Sequence, residues 1–308
     1  MSIVEPIIKA VIPVGGLGAR LLPATKVLPK ELLPVGRRPA VQYVVEEIRG
    51  AGVEQICFVT GRKKALIQEH FDHDPELVRY LQDQASDELL AELAYIESGL
   101  HLTYVRQSGP QGLVDALSLA QDFVGDRPFV LALGDSLISE AEPGMLLSRL
   151  LREHSQRQAD VTIAAEPVAG RAARQHWLIQ AVEATPAEAQ VFDIADLCRR
   201  TPASDTPALA MAARFVMSPA VFSAIPRAVA SRGGETHLPD VLRVLLRDGA
   251  RVQGVRLAPD QQRYDIGAFP GYFRAFLEFA LLDPQYGEEV REYLTGLVSG
   301  SPNLPPSW

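Results

Sequence analysis

Hydrophobic and polar positions fall into short apolar runs separated by stretches of helical period. The runs "KAVIPV" (9–14), "QICFVTG" (55–61), "LTYVRQ" (102–107), "FVLALGD" (129–135) and "DVTIAAEPV" (160–168) have the length and composition of buried strands. In "PAVQYVVEEIRGAG", Val41, Val44, Val45 and Ile48 share one helical face. Pro39 stands where a first turn tolerates it, and Gly50 or Gly52 ends the helix. This alternation predicts crossover units: an α/β fold whose Rossmann-like, mainly parallel central sheet carries helices on both faces.

Beyond about residue 170 the pattern changes. "WLIQAVEA", "VFDIADLC" and "ALAMAARFVMS" follow one another with little helix between them, which predicts a strand-rich extension or cap of the same sheet. Helical period returns in "THLPDVLRVLLRDG", "GYFRAFLEFALL" and "GEEVREYLTGLV", and "SGSPNLPPSW" reads as a frayed tail. Phe273, Phe276, Phe279 and Leu282 form a stripe expected in the core.

Composition narrows the class. With 308 residues, 47% hydrophobic and 22% charged, the chain can bury a large core. Its formal charge of -8 excludes a general nucleic-acid surface but not a local anion site. Cys57 and Cys198 lie far apart without metal-like spacing and are expected reduced and packed. The start "MSIVEPIIKAVIPVGG" has no basic region leading into an apolar stretch of signal length, and no segment reaches about 18 consecutive apolar residues. A cytoplasmic protein, not a membrane one, is expected.

The candidate chemistry begins at "PVGGLGARLLPATKVLPKELLP", Pro13 to Pro34. It is not a P-loop, because no Gly-Lys-Ser/Thr follows at the required spacing, and the dinucleotide pattern lacks its third glycine. What remains is a backbone able to approach an anion through its N–H groups, with Arg20 at its edge. Pro23, Pro29 and Pro34 stiffen the following segment and display Lys26 and Lys30 from it.

With "QYVVEEI", "ICFVTGRKK", "VRQ", "LGD", "EPVA", "GGE" and "RYDIG", this loop resembles the bacterial UTP-glucose-1-phosphate uridylyltransferases and, more broadly, the sugar-1-phosphate nucleotidyltransferase family. The resemblance implies that a sugar phosphate oxygen attacks the α-phosphorus of a nucleoside triphosphate in line, releasing pyrophosphate. It implies one domain over 1–308, with a nucleotide-binding half over about 1–140, a sugar-phosphate half over about 141–268, and C-terminal helices and tail over about 269–308. Gly15, Gly16 and Gly18 would lie along the nucleotide, Arg20 would hold the departing phosphates, and Lys30 would bridge the reacting ones. Gln107 and Gly112 would read a pyrimidine, favouring UTP or dTTP. Asp135 and Asp265 would hold Mg²⁺. A homo-oligomer, dimer or tetramer, is also implied.

The sugar end departs from that pattern. Trp177 stands near the place of a family glycine, and the family's Glu-Lys-Pro is replaced within "VFDIADLCRRTP", leaving Arg199 or Arg200 to hold the sugar phosphate. "GLGHA" reads "GLVDA", which brings in Asp115. In "GGETHLPDVL", Glu235 is a sugar-site candidate and Asp240 could instead cap the next helix. These changes leave two readings: an active transferase for which glucose 1-phosphate is only one of the possible acceptors, or a non-catalytic nucleotide-binding or regulatory paralogue. His73, His101 and His176 lack partners at ligand spacing, and no nucleophile elbow is legible.

Overall fold

The apolar runs form strands, and the computed structural model of the protein describes them within residues 6–95, 99–169, 173, 176–183, 185–186, 188–199, 208–232 and 234–299. Strand β1 (Lys9–Pro13) leads into 3-10 turns at Ala19–Leu21, Ala24–Lys26 and Lys30–Leu32. A short ladder of β2 (Pro34–Val35) and β3 (Arg38–Pro39) precedes α1 (Ala40–Gly50) and β4 (Gln55–Thr60). Helices α2 (Ala65–Phe71), α3 (Pro75–Asp83) and α4 (Asp87–Glu92) lead to β5 (His101–Arg106). Then come α5 (Leu113–Leu119), α6 (Gln121–Val124), β6 (Phe129–Ala132), β7 (Ser136–Ser139), α7 (Met145–Arg157) and β8 (Val161–Val168).

The strand-rich stretch is β9 (Leu178–Ala181), β10 (Val191–Cys198) and β11 (Ala208–Met217). After it run α8 (Ala220–Arg232), α9 (Leu238–Arg247), β12 (Val252–Arg256), β13 (Gln262–Asp265), α10 (Phe269–Leu281) and α11 (Gly287–Ser299). Asp240 does cap its helix: its Oδ2 accepts from the His237 N–H at 2.9 Å.

Among the described residues the main sheet has the strand order β5-β4-β1-β6-β11-β8-β12-β10-β9. The first four strands are mutually parallel, and β12 is parallel to β8. β11 runs antiparallel to β6, β8 and β9, and β10 antiparallel to β12 and β9. The sheet is therefore mixed, and its second half is less parallel than the alternation of runs suggests. Side chains along β1 divide the core: Val11 packs with residues of α5, α8 and α9, whereas Ala10 and Ile12 pack with those of α1 and α7. Helices cover both faces, and β1 is buried between them.

The C-terminal stripe differs from the expectation. Phe279 turns inward against Tyr43 and Tyr264, but Phe273 is 56% and Leu282 65% exposed, and Phe276 also faces outward. The cause is position: α10 packs on β13, β2 and α11, and these leave the side carrying Phe273 and Leu282 uncovered. Cys57 is buried and Cys198 half-buried, and both are free thiols.

Ala213 sits at φ 60° in β11, where the pairing with β8 shifts register between Met211 and Phe215. A side chain in this left-handed region costs about 1–2 kcal/mol, and glycine returns part of that through chain entropy. Ala213→Gly is therefore expected to stabilise the fold by about 0.5–1 kcal/mol, read as a higher urea midpoint.

Candidate active site

Four parallel strands end on one side of the sheet, and the loops after β1, β5 and β6 meet there around a cleft of about 450 Å³. Ligands of α/β sheets bind outside such strand ends. The cleft is lined by Gly15, Gly16 and Gly18, by Arg20 and Lys30, by Gln107 and Gly112, and by Asp135 and Glu235. Positions spread over more than 200 residues of sequence thus share one wall.

The glycines are needed for close approach. A Cβ on Gly15 would lie 2.8 Å from Gln107 Oε1, and one on Gly16 would lie 3.4 Å from Lys30 Nζ. Gly18 has φ 68° as it enters the first 3-10 turn, and its carbonyl accepts from Thr25 Oγ1 at 2.7 Å. This folds the proline-stiffened segment back, so that Lys30 reaches under the loop.

Lys30 Nζ donates to Asp135 Oδ2. Burial alone would lower the lysine's pKa, but the carboxylates of Asp135, Glu31 and Asp265 raise it above its ordinary value. Asp135 is the mirror case: burial would raise it, and Lys30 with Arg20 holds it below the usual carboxylate range. Beneath them, Lys64 donates to Glu31 at 2.6 Å in a buried pair that sequence reading missed. Burial pushes the Glu31 carboxyl up despite both lysines.

Asp265 reaches the same place by a different route. The ladder of β13 with β7 pairs Asp265 with Ser136, and the Ile266 N–H donates to the Asp135 carbonyl at 3.1 Å. Between the two aspartates lies Gly267, where a Cβ would sit 2.7 Å from Arg20 Nη2, 2.9 Å from Asp265 Oδ1 and 3.5 Å from Asp135 Oδ2. Two carboxylates converging on one small space suit a hard divalent cation that takes its other ligands from phosphate and water. Among the described residues no group of three or more His, Cys, Asp or Glu is placed to hold a metal ion.

Gly267→Ala is expected to force Arg20 and Asp265 apart while leaving the fold intact. Turnover should fall by about tenfold to a hundredfold, with a melting temperature within a few degrees of wild type. Steady-state kinetics beside thermal unfolding check both.

A larger hollow of about 920 Å³ shares Arg20 and is lined by Arg199, Arg263, Arg274, His176 and Asp265. Arg263 is paired with Glu166. Burial, with Arg263 second, holds the His176 pKa below its ordinary value. Trp177 stands beside this hollow, stacked by the guanidinium of Arg199 at 5.2 Å and of Arg243 at 5.9 Å. Glu235 lies toward the first cleft, with Oε1 3.7 Å from a Cβ position on Gly112. Arg200 lies outside the described residues.

A nucleotidyl transferase family model matches residues 9–280, and the chain belongs to that family. Relatives sharing almost its whole length include UTP–glucose-1-phosphate uridylyltransferases. The one from Bacillus subtilis is 32% identical over 292 residues, 94% of this chain and 97% of that protein. One from Streptococcus pyogenes is 35% identical, covering 94% of each chain. The structure of the UTP-bound UGPase from Acinetobacter baumannii superposes with a TM-score of 0.85 at 32% identity, covering 94% of this chain and 99% of that one. No helix among the described residues is long and apolar enough to cross a membrane.

Proposed function

We propose that the chain joins UTP to a sugar 1-phosphate, giving a UDP-sugar and pyrophosphate. The observation carrying this reading is the placement of Lys30 between the glycine loop and Asp135, near Asp265, in a cleft that Arg20 also lines. That arrangement sets two fixed cations, Arg20 and Lys30, beside the glycine-loop amides where a triphosphate would lie, each near a carboxylate that could hold a divalent ion. The attacking phosphate oxygen is already anionic at neutral pH, so no general base is needed and the chain's contribution is positioning and charge neutralisation.

Lys30 would lie between the phosphates that react, and Arg20 would hold the β- and γ-phosphates as they depart. Gly15, Gly16 and Gly18 would support the nucleotide, with its base against Gln107 and Gly112. A divalent ion held by Asp135 and Asp265, magnesium by its preference for hard oxygens, would offset charge on the triphosphate. The arginine-lined hollow is the proposed place of the sugar phosphate, with Arg199 as its cation and Trp177 as a rigid wall support. Glu235 is assigned to the rim where the two substrates meet.

Residues of about 1–140 would then bind nucleotide and about 141–268 the sugar phosphate, within one domain on one sheet. The outward aromatic face of α10 suits contact with a second copy of the chain, and the reaction is assigned to the cytoplasm. The relatives and the family model give no support to a non-catalytic reading. Pyrophosphate release from UTP with a panel of sugar 1-phosphates, glucose 1-phosphate included, tests the proposal. Turnover with at least one acceptor is expected, and thermal stabilisation by UTP without turnover of any acceptor would overturn it.

A further inference from the structure

We propose that Asp115 decides which bases the site accepts by fixing the orientation of the Gln107 amide. The inference rests on the reading above that the base lies against Gln107. Gln107 follows β5, is 3% exposed, and is held by a backbone hydrogen bond to the Thr60 carbonyl at 2.9 Å. Its Nε2 donates to Asp115 Oδ2 at 2.6 Å and to the Gly112 carbonyl at 3.2 Å. A carboxylate and a carbonyl are both acceptors, so turning the amide round would set oxygen against oxygen twice. The assignment of N and O in this side chain is therefore dictated by chemistry.

With its N–H₂ committed, Gln107 presents only Oε1 toward the glycine loop, 2.8 Å from a Cβ position on Gly15. No hydrogen-bond donor among the described residues reaches that oxygen. The cleft thus offers the base a bare acceptor, whose complement is a ring N–H. Uracil supplies one at N3, whereas cytosine, with a ring of the same size, has a lone pair there. Polar mismatch in a site built around a hydrogen bond discriminates far more strongly than a difference of shape. The "GLGHA" of the resembled family would place histidine in this stretch, and an imidazole carrying both an N–H and a lone pair does not dictate polarity in this way.

Asp115 also sits in the first turn of α5, after Gly112 at φ 90°, where a carboxylate favours a helix start. A purely structural role there predicts a loss of stability and no change in base preference. The test is kcat/KM for UTP, CTP and N3-methyl-UTP with wild type, Asp115→Asn, Asp115→Ala and Asp115→Glu, each beside a melting curve. Wild type should prefer UTP and use N3-methyl-UTP poorly. In Asp115→Asn, and equally in Asp115→Ala should the first not fold, the UTP-over-CTP ratio should fall about tenfold or more with KM for the sugar phosphate unchanged. Asp115→Glu, still an acceptor only, should keep the preference.

An unchanged ratio in a folded Asp115→Asn or Asp115→Ala overturns the inference, as does a wild type that uses CTP as readily as UTP. Absence of any UTP turnover by wild type would instead remove the functional reading on which the inference stands.

Discussion

Lys30→Met is expected to lower kcat about a thousandfold in pyrophosphate-release assays while the protein remains folded. Methionine keeps the apolar stem that fills the space beneath Gly16 but removes the cation facing Asp135, Glu31 and Asp265. The charge that develops between attacking and leaving oxygens would then lose the cation held beneath the glycine loop, leaving Arg20 to meet it from the side of the leaving phosphates. Since that charge peaks in the transition state, the loss should fall mainly on kcat and less on KM for UTP. Lys30→Arg should not restore the rate, because a planar fork cannot replace a point charge where a Cβ on Gly16 would already lie 3.4 Å from the ammonium. A kcat within tenfold of wild type in folded Lys30→Met would remove Lys30 from the chemistry.

The part of this site legible in the sequence is the part held by local rules. Glycines before a 3-10 turn, prolines that stiffen a lysine-bearing segment, and "LGD" at the end of an apolar run each announce themselves within a few residues. The covering helix α1 was legible for the same reason, as period 3.6, and β1 as a short apolar run. Long-range pairing was not. Nothing local tells that β11 enters the sheet antiparallel beside β6, because a strand buried on both faces has the same apolar run in either direction. The outward turn of Phe273 was illegible too, since its stripe has core spacing and which elements pack on α10 is decided far away in the chain. Glu31, Lys64, Glu47 and Arg214 were missed because a charge inside an amphipathic pattern reads as solvated until its partner arrives from elsewhere in the chain.

The last of these pairs carries the largest expected effect on stability. Arg214 in β11 is completely buried, donating to Glu47 Oε1 at 2.8 Å and Oε2 at 2.7 Å in a forked pair. It donates as well to the carbonyls of Ser136 at 2.8 Å, Ala213 at 3.1 Å and Leu133 at 3.5 Å. Glu47→Ala leaves a guanidinium without its counter-charge in the core, and should cost about 3–5 kcal/mol in urea unfolding. Stability alone would not tie the pair to the reaction, but Leu133 and Ser136 bracket Gly134 and Asp135. Replacing both members, as Glu47→Leu with Arg214→Met, removes two buried charges together and is expected to recover much of the lost stability, since apolar residues of similar volume often match a buried pair. The Ser136 carbonyl would still have lost the Arg214 donor, and the Leu133 carbonyl would keep the Ser136 N–H at 3.2 Å but not Arg214, so the loop carrying Asp135 would lose its tie to Arg214. The double variant should therefore fold well yet turn over about tenfold to a hundredfold more slowly, the scale of a carboxylate misplaced by about 1 Å. Wild-type kcat in that variant would show that the ladder of β7 with β13 holds Asp135 without help from Arg214.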